Sequence, residues 1–269
     1  MAASDRQGLP VTFFVVRHGQ TLFNVMGKVQ GWCDTPLTEE GVRGARALGR
    51  GLADVDFAAA YASDSGRAVQ TLETLLEARA AERGELRFDG GLVFREGADA
   101  FDPAGEHGAL GLGSEFERDA AAPLPVARDA RLREWCYGDL EGEPGEELHR
   151  VFAQGFGREL SFAELNSRLP EVADVIAEAD RSGRAERFGD VERRLRGFFA
   201  DAGRRAFEAG GGNVLVVTHS FVVRTIVYLL EPARVNDPLK ILNASVTKLD
   251  FDGERFSLGE VGSTAYLRP

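Results

Sequence analysis

Short unbroken apolar runs alternate along this chain with longer stretches in which apolar residues recur every three or four positions. The clearest runs are Phe13-Phe14-Val15-Val16 and Val214-Leu215-Val216-Val217. Runs of that length, rich in β-branched residues, predict strands buried on both faces. Phe57–Tyr61 predicts a further strand and Leu86-Arg87-Phe88 a short one. Residues 242–251 predict a last strand, folded back on Arg255–Leu258 across a two-residue type I′ turn at Asp252-Gly253. Thr38 is placed to cap a helix with Glu39 and Glu40 in its first turn and Leu48 and Leu52 on one face. A second helix is predicted over about 66–81, with Ser63 or Asp64 as its cap, and residues 19–37 as a loop.

Residues 146–209 read as helical, with breaks at Gly155–Gly157, Pro170 and Ser182-Gly183. Their apolar faces are Leu148/Val151/Phe152, Val172/Val175/Ile176/Ala179 and Val191/Leu195/Phe198/Phe199. Arginines 181, 184, 187, 193 and 194 are expected on a solvated face. Strands alternating with helices predict an α/β fold on a mostly parallel sheet, and no repeat or linker divides the chain into separate domains. Periodicity fails from Asp89 to about Arg128, so that segment is expected to be an insertion. Phe94, Phe101, Leu110, Leu112 and Phe116 would pack part of it down, with His107 a bystander.

Three predicted elements end in polar clusters: Arg17-His18-Gly19, the Ser63-to-Arg67 stretch, and His219-Ser220. Parallel sheets gather the C-terminal ends of their strands on one edge, where ligands bind. Arg67 falls in the first turn of its helix. A cation there opposes the helix dipole, so an anion is expected beside it.

Formal charge is −11, and only Lys28, Lys240 and Lys248 are lysines. That balance advertises neither a nucleic-acid nor an anionic-membrane surface. Positive charge at an anion site on that edge would have to come from arginine, whose planar fork donates two parallel hydrogen bonds. No apolar run approaches the ~20 residues that span a bilayer. The N-terminus lacks a signal-peptide layout, which makes the cytoplasm the expected compartment. Cys33 and Cys136 are too few for a disulfide framework and are expected as free thiols. The four histidines show no metal-ligand spacing, and no metal or other cofactor is expected.

The first cluster continues through Gln20, Thr21, Asn24, Gln30-Gly31-Trp32 and Asp34-Thr35-Pro36-Leu37-Thr38-Glu39-Glu40-Gly41. Ser63-Asp64-x-x-Arg67-Ala68-x-Gln70-Thr71, Leu132-Arg133-Glu134-Trp135-Cys136-Tyr137-Gly138-Asp139-Leu140-Glu141-Gly142 and Thr218-His219 follow in order. Together they resemble the histidine phosphatase superfamily, with its phosphoglycerate-mutase-like fold. The resemblance implies a three-layer α/β/α sandwich with a mostly parallel sheet and a helical cap over about 143–190. It departs from the family pattern at Ser220, where glycine is usual.

The resemblance further implies phosphoryl transfer through a phosphohistidine on His18, with Glu134 as proton donor and acceptor. Arg17, Arg67 and a cationic His219 would neutralise the phosphoryl oxygens, and Asn24, Gln30, Gly31 and Ser220 would help bind the substrate. The second and third blocks resemble the phosphatase branch better than the mutases. The expected activity is metal-independent hydrolysis of a small phosphorylated metabolite, releasing phosphate. The alternatives are a cofactor-dependent phosphoglycerate mutase and a catalytically decayed phospho-ligand binding module. The sequence leaves a homodimer open.

Overall fold

In β1 (Val11–Arg17) the side chains of Val11, Phe13 and Val15 enter one core, and those of Phe14 and Val16 enter another. The unbroken apolar run thus marks a strand covered on both faces. The structure, a computed structural model, describes residues 9–85, 95–96 and 124–269. Within them lie β2 (Phe57–Ala62), β3 (Arg95–Glu96), β4 (Val126–Arg128), β5 (Gly212–Thr218), β6 (Val246–Phe251) and β7 (Phe256–Leu258). Their order across the sheet is β3-β4-β2-β5-β1-β6-β7. β1 and β5 run parallel from Val11↔Gly212 to Arg17↔Thr218. The pairs β2–β5, β2–β4 and β3–β4 are also parallel, whereas β1–β6 and β6–β7 are antiparallel.

Helices α2 (Glu39–Gly51) and α3 (Gly66–Glu82) close the face that receives Phe14 and Val16, through Leu48, Leu52, Leu72 and Leu75. They approach closely at Gly49, where a Cβ would stand 2.3 Å from the carbonyl oxygen of Leu75. Helices α7 (Phe188–Glu208) and α8 (Ser220–Leu230) close the other face through Leu195, Phe198, Val223 and Ile226. α4 (Gly145–Gly155), α5 (Phe162–Asn166) and α6 (Leu169–Ala179) extend that second core with Phe152, Leu165, Val172 and Ile176. The result is the three-layer α/β/α sandwich with a mostly parallel sheet.

Several local expectations are corrected. Residues 19–37 contain a short helix, α1 (Leu22–Met26), capped reciprocally by Thr21 and Asn24. Five residues are too few to show helical periodicity. Neither Ser63 nor Asp64 caps α3, whose N-cap is Ser65 without a side-chain bond; Asp64 is drawn instead to Arg133. The break expected at Pro170 falls at Ser167-Arg168, and Pro170 lies in the first turn of α6, as proline does where its missing N–H costs nothing. Phe251↔Phe256 pairing leaves a four-residue loop between β6 and β7, held by Asp252 Oδ1 accepting from Glu254 and Arg255 N–H, both 2.8 Å. Asp252 N–H donates to Arg255 O at 3.3 Å, so the turn centres on Gly253-Glu254 rather than on Asp252-Gly253.

β4 belongs to the sheet, although its residues fall inside the stretch expected to be an insertion. Three residues are too short to announce a strand. The expected strand at Leu86–Phe88, the packing of Phe94, Phe101, Leu110, Leu112 and Phe116, and His107 lie outside the described residues. Among the described residues no helix is long and apolar enough to cross a membrane.

Candidate active site

The register of β1 and β5 places His18 and His219 side by side, each one residue past the last paired position. Their rings face edge to plane, with centroids 5.2 Å apart. His18 N–H donates to Thr218 O at 2.8 Å, and Ser63 N–H donates to Val217 O at 2.9 Å, so the ends of β1, β5 and β2 are stitched together. Thr218 Oγ1 donates to Leu132 O at 2.7 Å, which docks the segment carrying Glu134 onto the same edge.

His18 is 4% exposed. Its Nδ1 lies 2.7 Å from the carbonyl oxygen of Gly19. A carbonyl can only accept, so Nδ1 carries the proton and Nε2 keeps its lone pair. Arg67 Nε donates to that Nε2 at 3.3 Å. Burial, then Arg67 and Arg17, hold the imidazole well below its ordinary range, against the opposing pull of the Gly19 carbonyl. His18 is therefore neutral, with its Nε2 lone pair turned toward Arg67.

Arg67 is fully buried and spends the rest of its fork on the loop after α1. Nη1 donates to Cys33 O and Asp34 Oδ1, both at 2.9 Å, and Nη2 donates to Gly31 O at 2.7 Å. Asp34 Oδ1 also accepts Arg67 N–H at 3.4 Å. The anion expected beside a cation in the first turn of α3 is thus supplied by the protein.

That loop is itself held by one side chain. Glu141 accepts main-chain N–H from Gly31 (3.0 Å), Trp32 (2.8 Å), Cys33 (2.9 Å) and Tyr137 (3.0 Å). Gly31 has no room for a side chain, since a Cβ would lie 2.2 Å from Trp135 O.

Glu134 is 4% exposed. Its carboxylate accepts from Trp135 N–H at 3.1 Å and from Phe221 N–H, in the first turn of α8, at 3.1 Å. Burial raises its pKa, and these two bonds with Arg67 and Arg17 only partly offset it. A carboxyl raised this way holds its proton closer to neutral pH, as a general acid requires.

Arg17 donates through Nη1 to Ile241 O at 2.6 Å, while its Nε is buried without a partner. Burial lowers it to about 10, with Glu134 opposing and Arg67 adding to the fall. Among the described residues His219 Nδ1 is the other buried orphan, and its Nε2 lies 3.4 Å from Ser65 Oγ. Orphaned buried polar atoms are costly and call for an explanation such as a ligand that completes them. Burial, Arg67 and His18 keep His219 well below the usual imidazole range. The cationic His219 expected from the sequence is not what the protein alone favours; a phosphate dianion would have to reverse this.

The supporting residues divide. Asn24 Oδ1 accepts from Thr21 N–H and from Asn243 Nδ2, both at 3.2 Å. Gln30 bonds Thr21 Oγ1 at 2.7 Å and Thr35 Oγ1 at 2.9 Å, so its amide serves the loop. Gly31 presents its carbonyl to Arg67. Ser220 Oγ lies 3.5 Å from Glu134 Oε2. Cys33 and Cys136 are free, and burial pushes their thiols up to about 12 and about 11. Arg194, expected on a solvated face, is buried. Asp34, Glu141, Asn243 and Arg194 are the structural partners that motif reading did not assign.

Known proteins resemble this chain in sequence and in fold. The sequence model of the histidine phosphatase superfamily (branch 1) matches residues 13–92 and 117–264. The unmatched stretch between them falls within the segment expected to be an insertion. The chain is 47% identical over 217 residues to 2,3-bisphosphoglycerate-dependent phosphoglycerate mutase 2 of Gloeobacter violaceus, covering 81% of this chain and 74% of that protein. It is 34% identical to mouse fructose-2,6-bisphosphatase TIGAR over 54% of this chain and 39% of the relative. The crystal structure of a Bacillus anthracis phosphoglycerate mutase superposes with a TM-score of 0.77 at 29% identity, covering 98% of both chains. Fold, site geometry and family match converge: this chain belongs to the histidine phosphatase superfamily, branch 1.

Proposed function

We propose that the protein is a phosphomonoesterase that hydrolyses a small phosphorylated metabolite through a phosphohistidine on His18. The observation that carries this reading is the His18 ring, with Nδ1 on the Gly19 carbonyl and Nε2 left as the attacking nitrogen beside Arg67. Nε2 attacks phosphorus and the bond to the leaving oxygen breaks, with Glu134 donating the proton that the alkoxide takes. Glu134 then removes a proton from water as that water attacks the phosphohistidine, and phosphate leaves. Arg17, Arg67 and His219 stabilise the charge on the phosphoryl oxygens. A cytoplasmic setting suits both the free thiols and a soluble metabolite.

Hydrolysis rather than transfer to a second site is favoured by Gln30-Gly31-Trp32 and the Glu134-to-Gly138 stretch, which resemble the phosphatase branch better than the mutases. The second reading, a 2,3-bisphosphoglycerate-dependent phosphoglycerate mutase, draws on the 47% identical relative and the Bacillus structure.

The test is p-nitrophenyl phosphate hydrolysis in EDTA by wild type and His18→Ala, alongside isomerisation of 3-phosphoglycerate with added 2,3-bisphosphoglycerate. Chelator-resistant hydrolysis lost in His18→Ala supports the phosphatase. Isomerisation outrunning phosphate release makes it a mutase. Tight phosphate-ester binding without turnover of either kind would return the protein to a binding module.

A further inference from the structure

Glu186 and Arg194 form an ion pair at 2.8 Å with side chains 10% and 2% exposed. Buried ion pairs are seldom a net gain in stability, because desolvation offsets the attraction. What this pair holds is therefore informative. Arg194 Nη1 donates to the carbonyl oxygens of Arg131 (2.8 Å) and Arg133 (2.6 Å), and Nη2 donates to that of Glu134 (3.1 Å). Glu186 Oε2 accepts from Cys136 N–H at 3.0 Å, and Glu186 N–H donates back to Cys136 O at 3.2 Å. The main chain is thus gripped on both sides of Glu134.

Residues 133–137 belong to no helix or strand. Their main-chain groups have no ladder to satisfy them, and buried main-chain groups need partners. The Trp32 indole, donating to Glu134 O at 3.0 Å, is the other hold on that carbonyl. The Glu134 carboxylate points to a different set of partners, the N–H groups of Trp135 and Phe221, so neither Arg194 nor Glu186 bonds the reacting carboxyl itself.

We propose that Arg194, with Glu186, is a positioning residue for the acid–base carboxylate of Glu134. This rests on the reading of Glu134 as proton donor given above. Arginine is the residue for the task, because one rigid fork spans three carbonyls and a carboxylate, which a lysine ammonium cannot do. Small displacements of a catalytic group are costly, with ~1 Å worth ~10²-fold in rate.

A merely structural role would slow every substrate alike; a role through Glu134 slows only steps that need its proton. The experiment compares first-turnover rates on propyl phosphate and on p-nitrophenyl phosphate for wild type, Glu134→Gln, Arg194→Met, Glu186→Gln and the Glu134→Gln/Arg194→Met double variant. Arg194→Met is expected to slow propyl phosphate by 10- to 100-fold while p-nitrophenol release in the first turnover changes less than about threefold. In the Glu134→Gln background the second substitution is expected to add less than about threefold, since both act through one group. Equal slowing of both substrates by Arg194→Met, no slowing, or full additivity in the double variant overturns the proposal. Where Arg194→Met does not fold by circular dichroism, Glu186→Gln decides by the same substrate comparison. If Glu134→Gln itself fails to separate the two substrates, the acid role is lost; a normal Glu134→Gln response with no Arg194 effect removes only the positioning role.

Discussion

The Nε of Arg67 donates to Nε2 of His18 across 3.3 Å, while the opposite ring nitrogen of His18 meets the Gly19 carbonyl at 2.7 Å. One contact fixes the tautomer and the other marks the lone pair that it exposes. The guanidinium proposed to bind phosphate and the imidazole proposed as nucleophile are thereby built as one unit, and substitutions at either report on both.

His18→Ala is expected to lower turnover by at least about 10³-fold, as loss of a covalent nucleophile does. Rapid mixing with substrate followed by a neutral quench and intact-mass measurement should show one phosphoryl group on wild type that disappears in mild acid. Its absence from wild type under single-turnover conditions would count against the covalent route.

Arg67→Lys is expected to lose activity nearly as severely as Arg67→Ala, by about 10²- to 10³-fold. Lysine retains charge but cannot reach His18, Gly31 O, Cys33 O and Asp34 together. Recovery of most activity in Arg67→Lys, read as kcat/KM, would reduce the arginine to a point charge.

The two shifted groups set the pH response. His18 is held well below its ordinary range, so the nucleophile stays neutral into mildly acidic solution. Glu134 is raised, so its proton persists above the usual carboxylate range. Alkyl phosphate hydrolysis should peak on the acid side of neutrality and fall as Glu134 deprotonates. p-Nitrophenyl phosphate, whose leaving group needs no proton, should keep its first-turnover rate further into alkaline solution. Identical pH–rate profiles for the two substrates would contradict the assignment.

Stability should follow the histidines with opposite sign to an ordinary surface pair. His18 and His219 stay neutral when folded but take protons near their ordinary pKa of about 6.5 when unfolded. The unfolded state then binds more protons, so stability is lost as pH falls below about 6.5. Melting at pH 7.5 and 5.5 measures the loss, and His219→Gln should shrink the difference.

Glu141→Ala removes one carboxylate and leaves four main-chain N–H groups without it. A destabilisation of about 2–3 kcal/mol is expected, from lost charge-assisted bonds that water only partly replaces. Urea unfolding measures it. Activity should fall with stability, because Gly31 and Cys33 hand their carbonyls to Arg67.

Much of this was legible in order along the chain. The runs at 13–16 and 214–217 announced β1 and β5 because both faces of those strands are covered. His18, Arg67, Glu134 and His219 were legible because the motifs containing them are local. The residues that hold them were not. Glu141 serves a loop more than a hundred positions earlier in the chain, and no spacing rule connects the two. Arg194 left a signal that charge alone obscured. It lies three residues after Val191, one before Leu195 and four before Phe198, on the buried stripe of α7. Its exposed neighbours Arg193 and Arg196 pair on the surface, and helical phase separates them.

β1 pairs on one side with β5 and on the other with β6, both from the last quarter of the chain. The Arg17-His18 dipeptide leaves the ribosome long before its two neighbouring strands. Contacts this distant in sequence are closed late and slowly. His18 thus has no partner histidine until β5 has emerged. Recovery of turnover after dilution from denaturant should therefore lag behind recovery of helical ellipticity, making turnover a clock for the last strand pairing.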